Sequence, residues 1–194
     1  MNRLWIVFFL LFSISASAQS PLINKTELNY NDLNYKIKRI SINNQGYLYL
    51  VTDRGVLYFD GYKYFDVEIP AKFNNNINTI FFDKRNELWV GDVNGNIYHK
   101  SNKSAKAFHL SSPISDIIED KNGTIWISTN GSGIAYVEKD SIYQYSKIAT
   151  ITDDYLYDLE LIKDEVWLAS DRGIGIINTK NKKYTPFDLN KEID

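Results

Sequence analysis

Residues 123–140, "GTIWISTNGSGIAYVEKD", place Ile125, Trp126 and Ile127 in direct succession, followed by a Gly-bearing turn and a second apolar run from Ile134 to Val137. Successive side chains of a strand point to opposite faces of its sheet. A strand with water on one face alternates apolar with polar, whereas one buried on both faces reads as an unbroken apolar run. This segment therefore calls for a sheet covered on both sides. No sustained 3.6-residue apolar period occurs beyond the N-terminal stretch, so helices are not available as the cover. Sheets must cover sheets.

The same pattern recurs along the chain. "KIKRISINNQGYLYLVTDRGVLYFDGYKYFDV" starts at Lys36, "INTIFFDKRNELWVGDVNGNIYHK" at Ile77, "ISDIIEDKNGTIWISTNGSGIAYVEKD" at Ile114 and "LYDLELIKDEVWLASDRGIGIINTK" at Leu156. Each copy has an aliphatic pair three residues apart: Ile37 and Ile40, Ile77 and Ile80, Ile114 and Ile117, Leu156 and Leu159. An aromatic residue follows at Tyr49, Trp89, Trp126 and Trp167, then a glycine at Gly55, Gly95, Gly133 and Gly173. The first turn is headed by Asp83 or Asp120, whose carboxylate can accept its own turn amides. Each copy reads as four short antiparallel strands. The first aliphatics of the pairs, at 37, 77, 114 and 156, are spaced 40, 37 and 42 residues apart, a period that marks propellers, solenoids or arrays. Radial stacking of small sheets buries both faces without helices, so the expected fold is an all-β propeller. Its blades are expected at about 36–70, 77–110, 114–147 and 156–188. The repeat tryptophans are then packing between blades, and the glycines are turn residues rather than phosphate cradles.

The composition agrees: 44% of the 194 residues are hydrophobic and 24% charged, far from a disordered chain. The opening "MNRLWIVFFLLFSISASAQS" combines Arg3, an apolar core from Leu4 to Ile14 and an Ala-x-Ala site at Ala16 and Ala18. It reads as a secretory signal peptide over residues 1–18, cleaved between Ala18 and Gln19. Residues 19–35 are polar and are a candidate closing strand for a later blade. Cysteine is absent, so an exported chain must be held by its core rather than by disulfides. The net charge of −2 and the scattered lysines provide no basic patch, so no nucleic-acid partner is expected.

"GTIWISTNGSGI" and "NELWVGDVNGNI" resemble the repeat of the two-component regulator propeller family. "YFDGYKYFDV", with Phe59-Asp60-Gly61, resembles that family's opening blade. The resemblance covers residues 36 to about 187. It implies a periplasmic or extracellular sensor: the input part of a membrane regulator in Bacteroidetes-like bacteria, taking carbohydrate or other nutrient ligands. In such regulators a sandwich domain, a membrane span and a histidine kinase or other output follow, and none of these is recognisable here. The sequence departs from the pattern at Tyr49, in the Trp position, and at Asp92, where a small Thr is usual. Four copies left as an arc would expose the outer faces of the first and last. The expectation is therefore the N-terminal part of a larger propeller, ahead of a closed four-bladed wheel or a homodimer. Its partners are the missing blades, the signalling domains of a longer chain and a small-molecule or oligosaccharide ligand.

Catalytic motifs are missing. His99 and His109 have no ligand spacing around them, so no metal site and no cofactor are expected. Glu119-Asp120 and Asp153-Asp154 are strand neighbours that point to opposite faces and read as solvated strand ends rather than acid/base dyads. The chain itself is expected to be non-enzymatic. A propeller lyase ranks below an envelope interaction or assembly propeller, because a lyase would require a His and acidic cluster at the channel mouth. Propeller ligands bind where loops converge, and Tyr62, Tyr64 and Tyr155, in or beside turns, are the candidates for stacking on sugar rings.

Overall fold

A computed structural model describes residues 28–73, 76–145 and 155–188. The signal-peptide reading with its Ala18–Gln19 cleavage, and Asp153-Asp154, lie outside the described residues. Among the described residues, four antiparallel sheets of four strands follow one another along the chain, preceded by a two-stranded hairpin. The hairpin pairs β1 (Leu28–Tyr30) with β2 (Leu33–Tyr35). The first blade holds β3 (Ile37–Ile42), β4 (Leu48–Thr52), β5 (Gly55–Phe59) and β6 (Tyr64–Asp66); the second β7 (Ile77–Phe82), β8 (Leu88–Asp92), β9 (Asn96–Lys100) and β10 (Ala105–His109). The third holds β11 (Ile114–Glu119), β12 (Ile125–Thr129), β13 (Ile134–Glu138) and β14 (Ser141–Gln144); the fourth β15 (Leu156–Ile162), β16 (Glu165–Ser170), β17 (Gly173–Asn178) and β18 (Tyr184–Pro186). Within each blade the strands pair in chain order. The first strands of successive blades pack against one another, β3 on β7, β7 on β11 and β11 on β15, so they form the inner wall of a propeller.

The apolar runs are explained by what lies between the blades. Val51 and Val56 of the first blade pack with Ile77, Ile80, Leu88 and Val90 of the second. Trp89 and Ile97 pack with Ile114, Ile117, Ile125 and Ile127 of the third. Trp126 and Ile134 pack with Leu156, Leu159, Val166 and Leu168 of the fourth. In each interface the aromatic face of one blade meets the aliphatic face of the next, so both faces of an interior blade are dry. All five residues of β12, the opening "IWIST", are buried. Burial of this apolar area is the main favourable term in folding, at about 25 cal/mol per Å² removed from water.

Close packing sets its own demands. A side chain at Gly91 would lie 2.5 Å from Ile114 Cγ2, so the bare backbone of β8 lets the third blade approach. Gly95 has φ +81° and its missing Cβ would stand 2.0 Å from the Leu110 carbonyl oxygen, so both conformation and space require glycine. Asp92, in the place of the usual Thr, is fully buried. It heads the second turn by accepting the Asn94 and Asn96 amides at 2.9 and 2.7 Å. Thr52 and Thr129 head the corresponding turns of their blades, each donating its hydroxyl to a glycine carbonyl, Gly55 and Gly133.

The two outermost faces differ from the interior. On the first blade Ile40 and Ile42 are 61% and 64% exposed. On the fourth, Ile162 is exposed beside a cavity of about 170 Å³ lined by Leu159, Trp167 and Ile174. Sheets left open in this way fit an arc of a larger propeller. Residues 28–35 stand beside the first blade: Tyr30 donates to Asp66 at 3.4 Å and its ring meets Tyr64 edge-on, while Arg54 donates to the Asn34 carbonyl.

Candidate functional site

Every inner strand breaks register at the same place. The slips fall between Ile37 and Arg39, Ile77 and Thr79, Ile114 and Asp116, and Leu156 and Asp158. A bulge twists the strand and re-aims the residue that follows it. Here it follows the first aliphatic residue of each I-x-x-I pair, so the polar residue before the second aliphatic, Arg39, Thr79, Asp116 or Asp158, is set on the inner wall. These side chains meet. Arg39 donates to Asp116 Oδ1 at 2.6 Å and to the Ser115 carbonyl at 3.1 Å, reaching from the first blade to the third. Thr79 Oγ1 donates to the same carboxylate at 3.4 Å, and the Leu159 amide donates to Asp116 Oδ2 at 3.2 Å. Asp158 lies near enough to Asp116 to interact with its carboxyl.

Burial pushes the Asp116 carboxyl up to about 6, the Arg39 guanidinium opposing and Asp158 reinforcing the rise. The cluster thus carries one cation and two carboxyls, with Asp158 exposed and Asp116 almost wholly enclosed. Chemically it can hold hydroxyl, amide or cationic groups of a ligand at a mouth of the axis. The sequence carries a signal for this cluster, since in each copy the residue before the second aliphatic is polar. Periodicity marks the aliphatics and says nothing of the bulge that turns their neighbour inward.

The strand direction sorts the sequence-derived tyrosines. Inner strands begin at the face formed by the links between blades, and the bulge cluster lies near that face. Tyr155 stands at this end, bridged to Asn130 just before β15. Tyr62, 95% exposed, sits in the β5–β6 turn at the opposite face. Tyr64 starts the outermost strand of the first blade and packs on Phe59 at 4.9 Å. The three tyrosines do not converge. His109 ends the outermost strand of the second blade, and His99 is buried against Trp89 at 3.9 Å, so neither joins the axial cluster.

The turns between first and second strands form the other face. Asp83 and Asp120 each accept two turn amides on Oδ1 and the indole N–H of their blade's tryptophan on Oδ2, Trp89 at 3.3 Å and Trp126 at 3.0 Å. Asp120 is fully buried, which corrects its reading as a solvated strand end: the indole and the turn amides replace its water. Each turn also reaches forward to the next. Asn44 donates to the Asp83 carbonyl, Lys84 to the Asp120 carbonyl, and Lys121 pairs with Asp164 at 3.1 Å.

Fold and axial cluster together define a β-propeller with a polar cluster on its inner wall. Residues 72–94 and 110–131, which open the second and third blades, match the repeat model described as Two component regulator propeller. A segment of 88 residues is 28% identical to histidine kinase P4 of Formosa agariphila, covering 38% of this chain and 6% of the kinase. Among solved structures, a catalytically inactive virginiamycin B lyase from Staphylococcus aureus with quinupristin is similar at TM-score 0.70 and 21% identity, over 85% of this chain and 59% of that one. The extracellular domain of a putative hybrid two component system from B. thetaiotaomicron is similar at TM-score 0.62 and 19% identity, over 79% of this chain and 25% of that one. PorZ, a surface component of the type-IX secretion system of Porphyromonas gingivalis, is similar at TM-score 0.57 and 14% identity, over 89% of this chain and 30% of that one. At these identities the structures share the fold. The chain spans less than two thirds of each relative named.

Proposed function

We propose that this chain is an extracytoplasmic, ligand-sensing propeller from the input region of a two-component or related transmembrane regulator. The observation that carries the reading is the match of its second and third blades to regulator propeller repeats. The similarity to the extracellular domain of a hybrid two component system supports it. The ligand enters at the link face, where Arg39 donates and Asp158 accepts, and where Tyr155 is also exposed. This pairing of donor, acceptors and an exposed ring suits a carbohydrate.

A thermal-shift screen of the full chain against oligosaccharides tests this. A binding sugar raises the melting temperature of the wild type, and Arg39→Lys and Asp116→Asn each abolish the rise while leaving the unliganded chain folded. A library without any stabilising member, or a rise untouched by both substitutions, contradicts the reading. The alternative, a non-catalytic envelope assembly propeller, is favoured by the similarity to PorZ over 89% of the chain. It predicts capture of envelope proteins with no response to small ligands.

A further inference from the structure

We propose that the second blade carries a metal-binding site of the Zn²⁺ class, formed by Asp83, Glu87 and His99 and independent of the axial mouth. One ligand atom from each of the three lies within 4.8 Å of the others. His99 Nε2 is 3.0 Å from Glu87 Oε2. The imidazole lies flat on Trp89, ring centroids 3.9 Å apart and planes 9° apart, so its nitrogen is aimed by packing. Asp83 is held by the Arg85 and Glu87 amides on Oδ1, which leaves Oδ2 turned toward the Trp89 indole and the cluster.

The repeat supplies its own control. Asp83, Glu87 and His99 align with Asp120, Thr124 and Tyr136 in the third blade, and with Asn43, Tyr47 and Tyr58 in the first. The turn and the cross-strand aromatic pair form in those blades without a glutamate or a histidine, stacked in the first and tilted by 43° in the third. The fold therefore does not ask for Glu87 and His99, and the second blade has both.

A cation already sits there. Arg85 Nη2 lies 3.2 Å from Asp83 Oδ2 and 2.9 Å from Glu87 Oε2. Its side chain is 69% exposed, so it can swing into water and leave two carboxylates and an imidazole to an ion. A cavity of about 340 Å³ opens beside it between the second and third blades, lined by Arg85, Trp89, His99, Glu119 and Asp140. It gives an ion a path in and room for a water ligand. One imidazole with two carboxylates suits a borderline divalent ion better than Ca²⁺ or Mg²⁺, which take oxygen donors, or Cu(I), which takes sulfur.

Titration of the full chain with ZnCl₂, followed by calorimetry and by Trp fluorescence, tests the site. One equivalent is expected to bind and to change the Trp89 emission. His99→Tyr and Glu87→Thr install the residues of the third blade, which are compatible with the fold, and each is expected to weaken binding by about tenfold or more. Arg85→Ala removes the competing cation and is expected to tighten binding. Zn²⁺ affinity unchanged in His99→Tyr overturns the proposal, as does failure of both the wild type and Arg85→Ala to bind. Loss of sugar binding at the axis leaves this outcome unaffected, so the two readings fail separately.

Discussion

Asp120 shows how one side chain can bind a turn and a core together. Its carboxylate accepts the Asn122 and Thr124 amides at 2.8 and 3.1 Å and the Trp126 indole at 3.0 Å, all out of water. Asp120→Ala leaves these donors unpaired, and buried orphan donors cost about 1–3 kcal/mol each to desolvate. We predict a loss of about 2–4 kcal/mol in chemical denaturation. The fourth blade is the natural counterpart. Its first turn is a tight two-residue connection at Lys163 and Asp164, no aspartate heads it, and Trp167 Nε1 is buried without a hydrogen-bond partner. Asp116 makes a different prediction. Its pKa is raised from the usual 3.8 to about 6, so the folded protein keeps a proton that the unfolded chain has released. The stability this contributes is fully present below 3.8, declines as pH rises through about 6, and is gone above. Melting temperatures measured across that range should fall with rising pH in the wild type and do so less in Asp116→Asn. An unchanged slope in the variant contradicts the assignment. The sequence displayed these residues without their surroundings: an aspartate before an aliphatic residue carries no mark of whether a bulge will turn it to the axis.

At the level of strands, the readable and unreadable parts separate cleanly. Apolar runs and their flanking turn residues made the four-stranded unit legible, because both follow from local chemistry. The I-x-x-I spacing was legible as a motif, but its meaning was not. The bulge that lets two aliphatic residues three apart both pack between blades is a property of paired strands, and so is the axial row it creates. The contact between Asp83, Glu87 and His99 was hidden for the same reason, since His99 meets the turn only through its pairing with Trp89 across the hairpin. Glycines at strand ends offer a test at this scale. Gly91→Ala sets a methyl against Ile114 and should cost about 1–3 kcal/mol by overpacking. Gly55→Ala, which meets no atom within 4 Å, should cost only its positive-φ strain, less than Gly95→Ala, where the Leu110 carbonyl blocks the space. Equal losses at Gly55 and Gly95, read by thermal unfolding, would show that the close approach of the Leu110 link is not a constraint.

For the molecule as a whole, stability is shared between neighbours, as in any stacked array: each blade is dry only where another blade covers it. The aliphatic face of the first blade and the aromatic face of the fourth are the open ends of this sequence of interfaces. A covering blade would bury Ile40 and Ile42 at one end and complete the surroundings of Trp167 at the other. The axial cluster also depends on this stacking, because Arg39 and Asp116 come from blades that are not adjacent in the chain. The most direct test is equilibrium unfolding of Trp89→Ala, Trp126→Ala and Trp167→Ala compared side by side. Stacked blades predict losses of about 3–5 kcal/mol for Trp89 and Trp126, each sealed between two sheets, and a distinctly smaller loss for Trp167, whose face is open. Three equal losses, or the largest at Trp167, would contradict the account.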